Sequence, residues 1–183
     1  MNLKNCIIRA LRAARVFAIN VLKRKQIQLC GKLVKYDIAL DTKFRIGNNG
    51  NMILGFFSSE SNVHLTAWGG QLEIGNGCSF NRNDIIIARK HITIGEGTLM
   101  GPNVCIYDHD HSFGNEGVIK NELTYGSISI GKNVWIGAGT IVLKNTTIGD
   151  NCVIGAGCVI SGEIPACSLV TAENRNLKIS PLH

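Results

Sequence analysis

The apolar positions in the second half of the chain recur every six residues. From Ile130 the hexads read IGKNVW, IGAGTI, VLKNTT, IGDNCV, IGAGCV and ISGEIP. An aliphatic residue opens each one: Ile130, Ile136, Val142, Ile148, Ile154 and Ile160. Gly follows in four of the six, and the fifth place holds Val134, Thr140, Thr146, Cys152, Cys158 and then Ile164. The same frame appears as IGEGTL, MGPNVC and IYDHDH from Ile94, as IGNGCS and FNRNDI from Ile74, and more weakly as IGNNGN and MILGFF from Ile46. A helix turns about 100° per residue, so a period of six would scatter these residues around its surface. Three short strands per turn of a prism keep them all inside. Each hexad is then one face and one corner, three hexads make a coil of roughly 18 residues, and each coil buries its inner residues against its neighbours. Gly and Asn after the opener are expected at corners because corners favour positive φ. Cys78, Cys152 and Cys158 fall on the small fifth place and read as small buried hydrophobes.

The start of the chain follows another rule. MNLKNCIIRALRAARVFAINVLKRKQ carries Lys4, Arg9, Arg12, Arg15, Lys23, Arg24 and Lys25 and no acid. On a helical wheel Leu3, Ile7, Leu11, Ala14, Phe17, Ala18 and Val21 share one face. The charges interrupt the apolar run too often for a signal peptide. The apolar face is expected either to pack on its own domain or a neighbouring subunit, or to lie on an anionic membrane surface. The pattern divides the chain into a basic helical segment and lead-in at 1–40, a solenoid at 41–168 with a loop at 112–127, and a tail at 169–183.

Composition narrows the class. Of 183 residues, 45% are hydrophobic and only 17% charged, so the chain buries much of itself or assembles. The net charge is +6, part of it concentrated at the start. Seven cysteines without a CxxC pair do not form a disulfide framework; the thiols read as reduced, hence cytoplasmic. No run of about 20 apolar residues is present to span a membrane.

The frame breaks once. Between IYDHDH and IGKNVW lies SFGNEGVIKNELTYGSIS, which has no aliphatic opener in frame and reads as an arm leaving the prism. Loops on rigid scaffolds carry function. Immediately before it, His109 and His111 alternate with Asp108 and Asp110. The aspartates are either partners that favour the charged imidazoles or turn residues.

The run GPNVCIYDHDH, the arm, and then ELTYGSISIGKNVWIGAGTIVLKNTTIGDNCVIGAGCVISGEIP resembles the hexapeptide-repeat acyltransferases, in particular the galactoside and maltose O-acetyltransferases, over residues 74 to 167. The resemblance implies a left-handed parallel β-helix, an exception to the usual right-handed crossover. It implies acetyl-CoA as co-substrate, no metal, a homotrimer, and direct transfer of the acetyl group to a carbohydrate hydroxyl. It implies that His111, not His109, is the general base that takes the hydroxyl proton, and that the backbone N–H of Ala138 holds the oxyanion. Trp135, Ala138, Ala156 and Gly157 would line the coenzyme groove, and Glu122 would orient His111 or be a solvated arm residue. Asn83 matches the family's acceptor-side asparagine; His109 would line the acceptor pocket or be a solvated corner residue, and Tyr125 is a further candidate to face the acceptor.

Two regions depart from the family pattern. Relatives often carry an acceptor-binding aspartate in the strand before ITIG, where this chain reads NDIIIARKHITIG, with Ala88 at that place. The tail TAENRNLKI lacks the family's terminal run, a lysine common after the last coil is Gly162 here, and Arg175 and Lys178 stand in as candidate phosphate contacts. Competing readings are a zinc hydrase on the same fold, a non-catalytic trimerisation module, and an acyltransferase for an amino sugar or small xenobiotic. The hydrase needs histidines five apart, a spacing that His64, His91, His109 and His111 do not offer, although His109 and His111 are placed to share a metal. The module predicts no special residues at the break. On this reading the enzyme builds surface polysaccharide or glycan and lies in the cytoplasm, peripherally on the inner face of the membrane.

Overall fold

The computed structural model describes residues 3–22, 26–30, 32 and 35–172, with side chains in the helix described at 7, 8 and 10–19. Between Ile27 and Val170 the described residues wind as a three-faced parallel β-solenoid. The first face stacks the strands Ile27–Leu29, Asn51–Leu54, Gln71–Ile74, His91–Ile94 and Ile128–Ile130, then the second halves of Ile141–Ile148 and Val159–Ile164. The second face is a seven-stranded sheet running from Asp37–Ile38 to Leu169–Val170. The third face stacks Lys43–Gly47, His64–Trp68, Ile85–Ala88 and Cys105–Tyr107, then the first halves of Ile141–Ile148 and Val159–Ile164.

The hexad openers do what the period requires. Ile130, Ile136, Val142, Ile148, Ile154 and Ile160 are all buried, as are Val134, Thr140, Thr146, Cys152 and Cys158 at the fifth place. Openers three hexads apart are in register, Ile94 with Ile130 and Ile130 with Ile148, so each interior column is built from one sequence position of every coil. Burying each such side chain contributes about 1.5–3 kcal/mol. The small thiols fill gaps and bond to backbone carbonyls, Cys152 Sγ to Pro165 O at 3.0 Å and Cys78 Sγ to Gly95 O at 3.2 Å.

The corners correct one expectation. Positive φ falls on the fourth hexad place, at Asn133, Gly139, Asn145, Asn151 and Gly157, not on the Gly that follows the opener. That Gly answers a different constraint, close approach: a Cβ on Gly137 would lie 2.5 Å from the backbone nitrogen of Ala156 in the next coil.

The helix Leu3–Leu22 closes the open lower end of the solenoid, where backbone groups of the first coils lack a further coil to pair with. Its docking side is not the apolar face of the helical wheel. Val16 is buried and Ile19 packs on the core, while Arg12 pairs with Asp37. The Arg15 guanidinium donates to the carbonyls of Ala39, Leu40 and Thr42 and lies over the Phe44 ring, 5.9 Å from its centroid. Ile7, Leu11 and Phe17, of the predicted apolar face, remain more than half exposed. Packing of that face on its own domain is therefore not what the fold uses; Leu3 and Val21 lie outside the described side chains. No described helix is long and apolar enough to cross a membrane.

Candidate active site

The frame break is a two-stranded antiparallel ribbon, His109–Gly114 paired with Gly117–Tyr125. It leaves the solenoid at the edge between the third and first faces, and Gly126 N–H closes its base on Asp108 O at 2.9 Å. Both histidines lie on its first strand. Alternation places them on one side of the ribbon, opposite Tyr125 and Leu123 respectively.

Asp108 is neither a turn residue nor a surface charge. It is fully buried, at the level where Ala67 and Ala88 point inward in the coils below. Its carboxylate accepts from Arg89 N–H at 2.8 and 3.0 Å, from Lys90 N–H at 2.7 Å, and lies 3.3 Å from His109 Nδ1. One buried carboxylate thus fixes the corner below the arm and the first imidazole of the arm. Asp110 is instead paired with Lys144 Nζ at 3.0 Å, and Lys144 also reaches Thr124 Oγ1, tying the ribbon to the coil above. His109 stands edge-on to Tyr107, 6.3 Å between rings. His111 is exposed and has no side-chain hydrogen-bond partner among the described residues.

Glu122 is not brought to His111 within the protomer. The register sets Leu123 opposite His111, so the adjacent Glu122 projects from the other side of the ribbon. Asn83 also has a structural employment: with φ of 63° it occupies a left-handed corner, accepts from Asn62 Nδ2 and donates to Asn103 Oδ1, both at 3.0 Å. Its amide ties a corner ladder while the side chain stays exposed. Ala88 is wholly buried, so the outward residue at that coil edge is Arg89, which the sequence reading passed over.

The opposite edge of the third face holds the other predicted group. Ala138 and Ala156 stack at the corner between the second and third faces, with Gly157 N–H donating to Ala138 O at 2.7 Å. Gly101 stands below them, where a Cβ would lie 2.7 Å from Ala138 N. Neither the Ala138 nor the Ala156 N–H has a hydrogen-bond partner among the described residues. The corner is a smooth column of small residues with free backbone donors, a fit for an extended amide-bearing chain such as pantetheine. Trp135 adjoins it, 55% exposed, in an outward row with Leu99, Val153 and Leu169 on the second face. Arg175 and Lys178 lie outside the described residues.

Within one protomer His111 and Ala138 are not brought together. They sit at opposite edges of the third face, about five residues of strand apart, which at about 3.3 Å per residue is roughly 15 Å. Among the described residues no group of three or more His, Cys, Asp or Glu is arranged to hold a metal ion.

A family model described as bacterial transferase hexapeptide (six repeats) matches residues 127–162. Nodulation protein L of Rhizobium meliloti (strain 1021) is 41% identical over 98 residues, 54% of this chain and 54% of that protein, so the chain spans about half the length of that relative. A putative lipopolysaccharide biosynthesis O-acetyl transferase of Escherichia coli (strain K12) is 31% identical over 136 residues, 68% of this chain and 69% of that protein. The structure of a hexapeptide-repeat-containing acetyltransferase from Vibrio cholerae, complexed with acetyl coenzyme A, superposes with a TM-score of 0.57 at 21% identity, covering 92% of this chain and 84% of that one. With its hexad core, its single arm and these likenesses, the chain belongs to the bacterial hexapeptide-repeat transferase family.

Proposed function

We propose that this protein is an acetyl-CoA-dependent O-acetyltransferase that acetylates a carbohydrate hydroxyl. The observation that carries the reading is the placement of an exposed, uncommitted imidazole, His111, on the one arm that interrupts a solenoid whose corner offers the free N–H of Ala138. The relatives' names point the same way, to O-acetyl transfer in lipopolysaccharide synthesis for one of them. Acetyl-CoA supplies an activated thioester acyl group. His111 takes the proton of the acceptor hydroxyl as its oxygen attacks, and later returns it to the departing thiol sulfur. The Ala138 N–H donates to the carbonyl oxygen as negative charge develops on it. Trp135, Ala156 and Gly157 hold the pantetheine arm, Arg175 and Lys178 meet the coenzyme phosphates, and Tyr125 and His109 flank the acceptor. Glu122 and Asn83 contribute at most from a neighbouring copy.

The separation of His111 from Ala138 is relieved when a second copy brings its own corner to the arm. The reading therefore includes a homotrimer of left-handed coils with one site at each subunit boundary. The exposed Ile7, Leu11 and Phe17, in a segment with seven cations and no acid, seat the enzyme on the inner face of an anionic membrane, where polysaccharide precursors are built.

Thiol release from acetyl-CoA across a panel of sugars and nucleotide sugars tests the activity. His111→Ala is expected to lower turnover by about 10²–10⁴-fold while leaving coenzyme binding intact, and His109→Ala to cost far less. A reversed order of the two losses, or a mass by light scattering that corresponds to a monomer, overturns the assignment of roles or the shared site.

A further inference from the structure

The third face carries an outward column that the period of six hides. Gly47 is in register with Trp68, Ala67 with Ala88, and Ile87 with Tyr107. The strand ends therefore bring Gly47, Trp68, Arg89 and His109 to the same edge of the face in successive coils, with Gly70 packed against the Arg89 backbone, where a Cβ would lie 2.5 Å from the Arg89 carbonyl carbon. His111 follows His109 on the same side of the chain. The column thus leads along the solenoid to the general base.

Each member is shaped for contact. The Trp68 ring is 39% exposed and lies over Gly47, where a Cβ would come within 2.5 Å of it; the missing side chain leaves the indole flat against the sheet. Flat exposed aromatic rings are platforms for sugar rings. Above it, the Nε–H of Arg89 is buried and has no hydrogen-bond partner among the described residues. The guanidinium as a whole is half-buried and has no carboxylate partner among the described residues, so its outer N–H groups are open to a carboxylate or phosphate. The backbone of Arg89 is fixed from behind by Asp108.

The surroundings share its sign. Lys43 and Arg45 project from the same face two coils lower, and their charges, after burial itself, hold the His64 imidazole below its ordinary pKa. Along 43–47, 64–68, 85–89 and 105–107 no carboxylate projects outward. Of the nearby acids, Asp108 is buried, Asp41 accepts from Asn62 N–H at the far edge, Asp110 is paired with Lys144, and Glu122 projects from the other side of the ribbon.

We infer that the Trp68–Arg89–His109 column is the acceptor-binding surface for an anionic sugar, its ring on Trp68 and its carboxylate or phosphate on Arg89. The inference rests on the transferase reading above and deepens it by naming the acceptor class. Arg89 acts as a specificity residue, since it touches the acceptor and no reacting atom.

The test uses the full-length Trp135→Phe variant, in which Trp68 is the one remaining tryptophan of two. Its fluorescence is titrated with a uronic-acid hexasaccharide, a neutral hexasaccharide and a sugar 1-phosphate, and thiol release from acetyl-CoA is followed in parallel with wild-type protein. The uronate should bind about 10–100-fold tighter than the neutral sugar, the range of one charge-assisted hydrogen bond. Added salt should narrow the gap. The sugar phosphate separates the two anion sources: preference for it over the uronate assigns the site to phosphate. In Arg89→Gln the preference should vanish while neutral-sugar binding is retained; Arg45→Gln, further from the arm, should reduce it by a smaller factor. Equal affinity for neutral and acidic sugars, no response to any of the three, or a preference that survives Arg89→Gln overturns the inference. Thiol release with neutral acceptors alone would overturn it while leaving the transferase standing. Arg89-dependent binding without thiol release for any acceptor would keep the anionic surface and remove the transferase.

Discussion

Replacing Arg15 with Met isolates what holds the N-terminal helix. The substitution keeps the apolar stem near Phe44 and removes the guanidinium that donates to the carbonyls of Ala39, Leu40 and Thr42, the first of these at 2.8 Å. Ala39 and Thr42 are buried, so at least two acceptors lose their donor where water reaches them poorly. Hydrogen bonds to charged groups contribute about 1.5–3 kcal/mol each. Arg15 is itself partly exposed, its pKa drawn down chiefly by burial, so the lower end of the range applies and the two buried acceptors together give about 3 kcal/mol, the exposed Leu40 carbonyl adding little. The helix meets the solenoid through few groups, mainly Val16, Ile19, Arg12 and Arg15, so the loss should appear as local opening and not as global unfolding. Amide exchange in residues 10–19 should speed up roughly 100-fold, at about 1.4 kcal/mol per factor of ten, while amides of the first face between Gln71 and Ile130 exchange as before. Exchange in the helix within about threefold of wild type would refute the reasoning and assign docking to Val16, Ile19 and Arg12.

Two further outcomes follow from buried charge and exposed apolar surface. Burial pushes the Asp84 carboxyl up to about 7, against the opposing hydrogen bonds from the Val104 and Asn81 N–H groups. Between roughly pH 4 and 7 the native state therefore holds a proton that the unfolded chain has released, and stability should fall as pH rises through that window, by at most about 1.4 kcal/mol per unit. Thermal unfolding midpoints at pH 5 and 7.5 measure the fall, and Asp84→Asn should flatten it; an Asp84→Asn profile that slopes like wild type rules the residue out. Full-length protein should sediment with anionic but not neutral vesicles, less so in high salt, and a variant without residues 1–25 should stay in solution. If full-length protein ignores both vesicle types, the exposed face of Ile7, Leu11 and Phe17 serves an interface between subunits.

The sequence by itself determined the coil, because the rule that builds it is local. Each hexad must supply one inward aliphatic residue and one turnable corner, and coils of equal length put like positions in register, so Ile130, Ile136 and Val142 announce the prism without reference to anything distant. The break before the arm was legible for the same reason. What the sequence could not decide is how one coil lies over another where hexads are irregular. Trp68, Arg89 and His109 stand 21 and 20 residues apart, a spacing that becomes a column only once the corners at Gly69-Gly70 and the coil above are folded. Ala88 looked like the position facing the acceptor until the strand's alternation turned it inward and Arg89 out. The helical wheel grouped Ile7, Leu11 and Phe17 correctly as neighbours, yet hydrophobicity did not choose the docking side. The carbonyls of Ala39, Leu40 and Thr42 at the open end of the solenoid needed donors, and Arg15 supplied them, because each buried backbone acceptor left unpaired costs about 1–3 kcal/mol.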